Sequence, residues 1–371
     1  MPKSVLLVAQ ELTQGGSERQ LTETAKALDR TRFTPHVAVF RPGGIRYEEL
    51  LRAGIPVTVF PFRSFGSPQI ISAAWHFHRY LRRHRIQLVH SFDVPANIFA
   101  VPPARLSGTP VVLSSQRAFR ELAPSRFRPL LRFNDHIVDG VVVNCRALEK
   151  HLIEDEEVRP SLIRICYNGI DTGLFYPKPV PRPPLLEGAS LVIGIVCALR
   201  EEKDLPTLIR AFALARARRP DVKLVFVGSG PVLAELERLR GELALGDSCV
   251  FAPSTAQVAD WLRAIDIFVL PSRSEALSNS LMEAMACGCS VVASRIGGNP
   301  ELIADGECGL LFEAGDVEGL ARQLTRLLTD DIGRRRMAEA ASRLIPSKFS
   351  VATAASRMAE IYNECLADKS K

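Results

Sequence analysis

Two acidic residues, Glu275 and Glu283, stand on either side of the start of a predicted helix. The apolar run Ile267–Leu270 predicts a buried strand, and a short loop then leads to a helix beginning near Ser280. The start of a helix presents unpaired N–H groups and the positive end of the helix dipole, which favour a phosphate. A carboxylate can accept two or more hydrogen bonds from sugar hydroxyls. This stretch predicts a phosphate and sugar site, although Ser280 and Glu283 could instead form a capping box, with Glu275 a solvated loop residue.

Two cations lie in a second candidate loop. Arg200 and Lys203 belong to the charged segment Arg200–Asp204, which follows the predicted strand Leu191–Ala198. Fixed cations at such a place stabilise negative charge that develops on a bound group during a reaction. We therefore take Lys203 and Arg200 as candidate catalytic residues, the alternative being an exposed charged loop.

The first half of the chain has softer candidates. Gly15 and Gly16 follow the predicted strand Val5–Ala9, and glycines at a strand-to-helix turn let the backbone approach a ligand. The pattern is not the G-x-G-x-x-G fingerprint, which argues against an NAD enzyme. His90 ends the predicted strand Gln87–His90 and is a candidate catalytic residue, although a single histidine there is more often structural.

Apolar strands alternate with amphipathic helices in both halves of the chain. This pattern predicts an α/β protein of two Rossmann-like, doubly wound parallel-sheet domains that face each other across a cleft. Five prolines between Tyr176 and Pro184 predict a stiff linker. The predicted divisions are a first domain at 1–175, a linker at 176–187, a second domain at 188–347 and a C-terminal helix within 348–371 that could pack on the first domain.

Several of these stretches together resemble the retaining glycosyltransferases of the GT-B fold, family 4. Beside the E-x7-E pattern of Glu275 and Glu283, the resemblance lies in the segments Asn168–Asp171, Val227–Pro231, Ala284–Ser294, Gly297–Glu301 and Gly306–Phe312. Two positions depart from the family pattern. The family's arginine before the Lys203 position falls on Ala198, for which Arg200 could substitute, and Gln116 stands near a position where many relatives carry histidine.

The resemblance implies a role for each matching residue. Glu283 would hold the ribose of the nucleotide, and Glu275 would contact the donor sugar. The backbone N–H groups of Leu277, Ser278, Asn279 and Ser280 would face the diphosphate and sugar. Gly228 and Gly230 would line the nucleotide site, and Gly15 and Gly16 would lie near the donor phosphates. It also implies that the first domain, 1–175, binds the acceptor, that the second, 188–347, binds the nucleotide-sugar, and that the anomeric configuration is retained. No metal or other cofactor is expected, because Arg, Lys and helix N-termini meet the diphosphate and no Asp-x-Asp pair of the kind used by metal-dependent transferases is present.

Composition sets limits on the partners. Of 371 residues, 47 are Lys or Arg and 41 are Asp or Glu, which favours an anionic ligand, and no zinc-finger spacing or basic block points to nucleic acid. The eight cysteines form no CxxC pair and predict buried, reduced thiols.

With no targeting segment or membrane span evident, a cytoplasmic location is expected. Arginines mixed with Phe and Leu from Arg117 to Arg132 suit an anionic membrane edge, which suggests a peripheral protein; a solvated basic helix is the alternative.

We therefore expect an enzyme that transfers a sugar from a nucleotide-sugar to a glycan or lipid-linked acceptor. Two alternatives remain open at this point, namely a nucleotide-sugar-binding protein without catalysis and a GT-B nucleotide-sugar epimerase. A polysaccharide phosphorylase is disfavoured because no pyridoxal-phosphate lysine motif is recognisable.

Overall fold

A computed structural model describes residues 2–369 of the chain. The strands are β1 (Lys3–Ala9), β2 (Phe33–Val39), β3 (Val57–Val59), β4 (Leu88–Ser91), β5 (Val111–Gln116), β6 (Gly140–Val143), β7 (Ile163–Ile165), β8 (Val192–Val196), β9 (Lys223–Val227), β10 (Cys249–Ala252), β11 (Ile267–Leu270), β12 (Ser290–Ser294) and β13 (Leu310–Phe312). The α-helices are α1 (Gly16–Ala27), α2 (Ile45–Arg52), α3 (Gln69–Arg83), α4 (Val94–Leu106), α5 (Arg128–Ile137), α6 (Arg146–Glu154), α7 (Leu205–Arg216), α8 (Leu233–Glu242), α9 (Val258–Ala264), α10 (Asn279–Ala286), α11 (Asn299–Leu302), α12 (Val317–Thr329), α13 (Asp331–Lys348) and α14 (Val351–Asp368).

The chain forms two compact units, each built around one parallel sheet. The first unit contains the residues up to Gly169 and those from Val351 onward, and its sheet has the strand order β3-β2-β1-β4-β5-β6-β7. The second unit contains Ile170–Ser350, with the strand order β10-β9-β8-β11-β12-β13. In both sheets the order reverses beside the first strand of the unit, and ligands of doubly wound sheets bind beyond the carboxyl ends of the strands at such a point.

The apolar runs of the sequence explain the central strands. Val5–Ala9 and Ile267–Leu270 are wholly buried, as expected for parallel strands covered on both faces. The prediction of two parallel-sheet α/β domains is therefore confirmed. Strand β11 also has the bounds that the sequence predicted, Ile267–Leu270.

The C-terminal helix α14 belongs to the first unit. Its apolar stripe, which includes Met358, Ile361 and Tyr362, is buried in the core of that unit. The Tyr362 ring meets the ring of Phe33 edge-on, with their centroids 5.9 Å apart. Burial of this stripe explains why the end of the chain joins the unit formed by its beginning.

The proline-rich segment differs from a free-standing linker. The structure divides the chain after Gly169, earlier than the predicted boundary, and the segment lies in the second unit. Arg263 binds the backbone oxygen of Tyr176 at 3.1 Å, and Arg182 binds the Asp266 carboxylate at 2.8 Å. These contacts explain why the segment packs against its own unit.

Candidate active site

The second unit brings two of the predicted residues into contact. Strands β8 and β11 are parallel neighbours, so the loops that follow them lie at one edge of the sheet. Lys203 comes from the loop after β8 and Glu275 from the loop after β11, and the Lys203 Nζ contacts Glu275 Oε1. The fold thus joins a cation and a carboxylate that are far apart in the sequence.

The loop that carries Lys203 has a defined backbone. Glu201–Lys203 forms one turn of 3-10 helix, and Asp204 then takes a left-handed conformation at the start of α7. The Asp204 carboxylate accepts a hydrogen bond from Thr207 at 2.8 Å and pairs with Arg273 at 3.0 Å. Asp204 therefore ties the Lys203 turn to α7 and to the Glu275 loop.

The environment of Lys203 keeps it charged. Burial by itself lowers the pKa of Lys203, but the Glu275 carboxylate outweighs burial, and the pKa lies above its ordinary value. A lysine held in its charged form suits the role of stabilising an anionic leaving group.

Glu275 is fixed by two further contacts. Ser272 donates a hydrogen bond to Glu275 Oε1 at 2.9 Å. Gly297, with a φ of 49°, lies against the Glu275 backbone so closely that an added Cβ would come within 1.7 Å of the carbonyl oxygen. Gly297 is a positioning residue that the sequence analysis missed, although the Gly297–Glu301 segment was noted for its resemblance to a family.

Helix α10 begins where the sequence placed a phosphate site, but its cap differs from the prediction. The N-cap is Ser278, whose Oγ accepts a hydrogen bond from the Leu281 N–H at 3.3 Å. Ser280 therefore lies inside the helix, and the alternative of a capping box formed by Ser280 and Glu283 is wrong. Leu277 and Ser278 are buried, whereas Asn279 and Ser280 are half-buried at the exposed edge of the helix start.

Glu283 lies in α10 and is buried. A buried carboxylate is stable only where hydrogen-bond donors or positive charge lie nearby. Its position eight residues after Glu275 puts it on the helix that directly follows the Glu275 loop. Its role toward a ribose stays a prediction.

Gly228 and Gly230 have a structural reason of their own. A Cβ at Gly228 would come within 1.9 Å of the Cys197 carbonyl oxygen, and one at Gly230 within 2.1 Å of that of Leu199. Cys197 N and Leu199 N bond to Val227 O and Ser229 O, respectively. Because these two glycines have no side chains, the loop after β9 can pack on the loop after β8. The family resemblance implies a different reason, namely that the two glycines line the nucleotide site.

Arg200 is placed differently from Lys203. Its side chain is 64% exposed, and its nearest carboxylate is that of Glu202 at 3.9 Å. The structure thus keeps Arg200 at the surface of the same loop. That Arg200 substitutes for the family's arginine, which falls on Ala198 here, stays a prediction.

In the first unit, Gly15 caps α1 and Gly16 begins the helix. An added Cβ at Gly15 would meet the Glu18 carboxylate at 2.1 Å, so the Glu18 side chain folds back over the helix start. Burial raises the pKa of Glu18. A carboxylate thus already lies at the turn that the sequence predicted for a phosphate.

The structure favours the structural interpretation of His90. Its side chain is wholly buried, and its ring nitrogens bond to the Tyr362 and Ser115 hydroxyls at 2.8 Å each. Burial holds the pKa of His90 well below its usual value, so the ring is neutral. His90 therefore lies out of reach of a substrate in this structure, because the strand end that it occupies is covered by α14.

Asp93 is a titratable residue that was not selected from the sequence. It caps α4 and accepts hydrogen bonds from the Ala96 and Gln10 N–H groups, both at 2.7 Å. Burial raises its pKa to about 6, with Glu18 and Glu11 adding to the rise. Asp93 followed by Pro95 is a helix-start signal that could have identified the cap, whereas the raised pKa depends on burial that the sequence does not show.

The arginines between Arg117 and Arg132 are divided between the interior and the surface. Arg120 is only 2% exposed and forms a two-pronged ion pair with Asp135 at 2.7 and 2.8 Å. Arg117 bonds to Asn168 at 2.7 Å, and burial lowers its pKa to about 10. The segment is not one continuous basic helix, because two 3-10 turns precede α5. Arg126 and Arg132 are exposed, and Arg128 is half-buried.

Other features bear on cofactors and membranes. All eight cysteines are unpaired and all but Cys197 are buried, as predicted. Within residues 2–369, no cluster of three or more His, Cys, Asp or Glu side chains is arranged to hold a metal ion. No helix in the described chain has the length and apolarity needed to cross a membrane.

The two parallel-sheet units define a GT-B fold. The structure is similar to that of HepE from Anabaena, which was solved in complex with UDP-glucose, with a TM-score of 0.84 and 23% identity over 97% of this chain and 99% of the other. Residues 14–174 match the family model Glycosyltransferase Family 4, and residues 181–344 match Glycosyl transferases group 1. The chain therefore belongs to the GT-B glycosyltransferases of family 4.

Two curated relatives are similar in sequence to part of this chain. N-acetyl-alpha-D-glucosaminyl L-malate synthase of Bacillus anthracis is 31% identical over 64% of this chain. A GDP-mannose-dependent phosphatidylinositol monomannoside mannosyltransferase of Mycolicibacterium smegmatis is 32% identical over 53% of it. The matches span 63% and 54% of the lengths of these relatives, respectively.

Proposed function

We propose that this chain transfers a sugar from a nucleoside-diphosphate-sugar to an acceptor. The observation that carries the proposal is the contact between Lys203 and Glu275 at the sheet edge where α10 begins. Lys203 and the N–H groups at the start of α10 would stabilise the departing diphosphate, while Glu275 would bind the donor sugar. UDP-glucose in HepE and GDP-mannose in the name of the mannosyltransferase support a nucleotide-sugar donor.

Retention of the anomeric configuration is part of this proposal. Besides Lys203 and Glu275, we would place Glu283 on the ribose, as the family resemblance implies. The proposed chemistry draws its positive charge from the protein, so it needs neither a metal nor another cofactor. Proton NMR of the first-formed product tests retention, and an inverted anomeric centre would contradict it.

The acceptor is proposed to be a glycan or a lipid-linked molecule, and the enzyme to act at an anionic membrane surface inside the cell. Leu122, Leu130 and Phe133 are exposed in the segment that carries Arg126, Arg128 and Arg132. Exposed apolar side chains beside arginines suit the edge of an anionic bilayer. Co-sedimentation with phosphatidylglycerol vesicles at low salt tests this, and a protein that stays in the supernatant would refute it.

The main experiment supplies the purified protein with UDP-, GDP- and ADP-sugars. A true donor should raise the melting temperature, because a ligand that binds only the folded state stabilises it. It should also be hydrolysed or transferred, and Glu275→Ala should abolish this turnover. Glu201→Ala, which removes an exposed carboxylate from the Lys203 turn, is the matched control and should keep the activity.

The same assay separates the alternatives. A binding protein without catalysis would show the thermal shift with no turnover of any donor. An epimerase would convert the donor alone to a different nucleotide-sugar, which chromatography of the products would reveal.

A further inference from the structure

A cavity of about 750 Å³ opens beside the edge strand of the first sheet. It lies between the end of β3 and the side of α3. A volume in this range is typical of small-molecule sites. None of the residues discussed for sugar transfer lines it.

The lining of the cavity contains two arginines and two histidines but no carboxylate. Arg79 and Arg83 contribute guanidinium groups, His76 and His84 contribute imidazole rings, and no Asp or Glu is among the lining residues. In the described part of the chain, neither arginine forms a salt bridge. Two unneutralised guanidinium groups one helical turn apart would attract a ligand with about two negative charges, and the guanidinium fork matches phosphate oxygens.

The aromatic wall of the cavity is held in place. The Tyr80 hydroxyl bonds to His36 Nδ1 at 2.8 Å, and the His84 ring stacks on the Tyr80 ring with their centroids 4.1 Å apart. Arg79 is positioned as well, because its guanidinium lies 4.7 Å from the centroid of the exposed Trp75 ring. A site whose groups are already fixed loses less entropy when a ligand binds.

We propose that this cavity binds a phosphate-bearing ligand through Arg79 and Arg83. Its size exceeds that of phosphate alone, so the phosphate would belong to a larger polar group, either a sugar phosphate or the headgroup of an anionic lipid. The Tyr80 and His84 rings would form one wall for that group. The inference stands independently of the proposed transferase activity, because it concerns another part of the chain.

Calorimetric titration with glucose 6-phosphate and with inorganic phosphate, and flotation with phosphatidylglycerol vesicles, test the proposal. In the Arg79→Gln/Arg83→Gln double variant, binding should weaken roughly tenfold or more, as expected from the loss of charge-assisted hydrogen bonds. Arg82→Gln is the matched control, because Arg82 is exposed on the same helix and does not line the cavity. Its binding should stay within about twofold of the unsubstituted protein, since isolated surface charges contribute little.

The outcomes separate the sources of the phosphate. Binding of glucose 6-phosphate that weakens in the double variant indicates a soluble ligand, and vesicle binding that weakens in it without any binding of glucose 6-phosphate indicates a lipid headgroup. Vesicle binding that the double variant leaves unchanged belongs to another basic surface, such as that of Arg126 and Arg132, and would overturn the proposal if it is the only binding seen. No saturable binding in any arm would overturn the proposal, as would an equal loss in Arg82→Gln. Binding that survives in the double variant but disappears in Lys203→Gln would assign the phosphate to the second unit and also overturn it.

Discussion

Lys203 and Glu275 are 72 positions apart in the sequence, yet Lys203 Nζ contacts Glu275 Oε1. The pairing arises because β8 and β11 are parallel neighbours, which puts their following loops at the same sheet edge. In the proposed reaction, Lys203 would exchange part of this contact for the diphosphate of the donor.

The first prediction concerns this lysine. Lys203→Ala should lower kcat/KM roughly 100-fold or more, because it removes a fixed charge that stabilises the leaving group. Arg200→Ala should lower kcat/KM by a smaller factor, because the Arg200 side chain is largely exposed. Steady-state kinetics with the best donor measures both, with Glu201→Ala as control. A larger loss in Arg200→Ala than in Lys203→Ala would contradict the assignment.

The second prediction concerns Gly297. Gly297→Ala should reduce both stability and donor binding, because its Cβ would collide with the Glu275 carbonyl oxygen and displace the loop. We expect a loss of about 2 kcal/mol or more in the free energy of unfolding. Gly306→Ala is the control, because Gly306 also has a positive φ but no atom lies within 4 Å of its added Cβ.

For Gly306→Ala we expect the free energy of unfolding to fall by about 1 kcal/mol, because only the backbone conformation is unfavourable for alanine. Donor binding should be unchanged. Chemical denaturation and donor titration measure the two quantities. Equal effects in the two variants would show that the close approach of Gly297 to Glu275 is unimportant.

The third prediction concerns His90. His90→Ala should destabilise the first unit by about 2–4 kcal/mol, because it leaves a cavity and two buried hydroxyls without their partner. The kcat/KM of the folded variant should change less than threefold, a limit of roughly 0.7 kcal/mol. Tyr362→Phe, which removes only the hydroxyl that bonds to His90, should lower the free energy of unfolding by roughly 1 kcal/mol. A stable His90→Ala protein without activity would instead restore a catalytic role.

The fourth prediction is a pH dependence set by Asp93. Its pKa is raised from 3.8 to about 6, so between these values the folded protein keeps a proton that the unfolded chain releases. The free energy of unfolding therefore falls as pH rises through this window, by at most about 3 kcal/mol. The difference between the unsubstituted protein and Asp93→Asn, measured by urea unfolding from pH 4 to 7, isolates this contribution. A difference that does not change with pH would refute it.

The fifth prediction concerns metals. Lys203 and the start of α10 supply positive charge to the proposed diphosphate site, so excess EDTA should change the transfer rate less than about twofold. The measurement is the initial rate before and after chelation and dialysis. An activity lost on chelation and restored by a divalent cation would contradict the proposed mechanism.

Much of the secondary structure was predictable because its cause is local. A continuous apolar run such as Ile267–Leu270 indicates a buried parallel strand, and an amphipathic stretch such as Leu205–Arg216 indicates a helix on its surface. The alternation of these elements fixed the fold class, and the order of the motifs indicated the family. The sequence also placed Lys203 and Glu275 in loops that follow predicted strands, although it could not show that they touch.

The sequence by itself therefore determined the two parallel-sheet units, the family and the residue types available for chemistry. Only the tertiary structure decided that Ser278 rather than Ser280 caps α10 and that Gly297 holds the Glu275 loop. It also decided that α14 covers His90 and that Arg120 forms an ion pair with Asp135. Each of these depends on a neighbour from a distant part of the chain or on the local course of a loop. Neither hydrophobic periodicity nor motif spacing carries that information, because both describe residues only through their near neighbours in sequence.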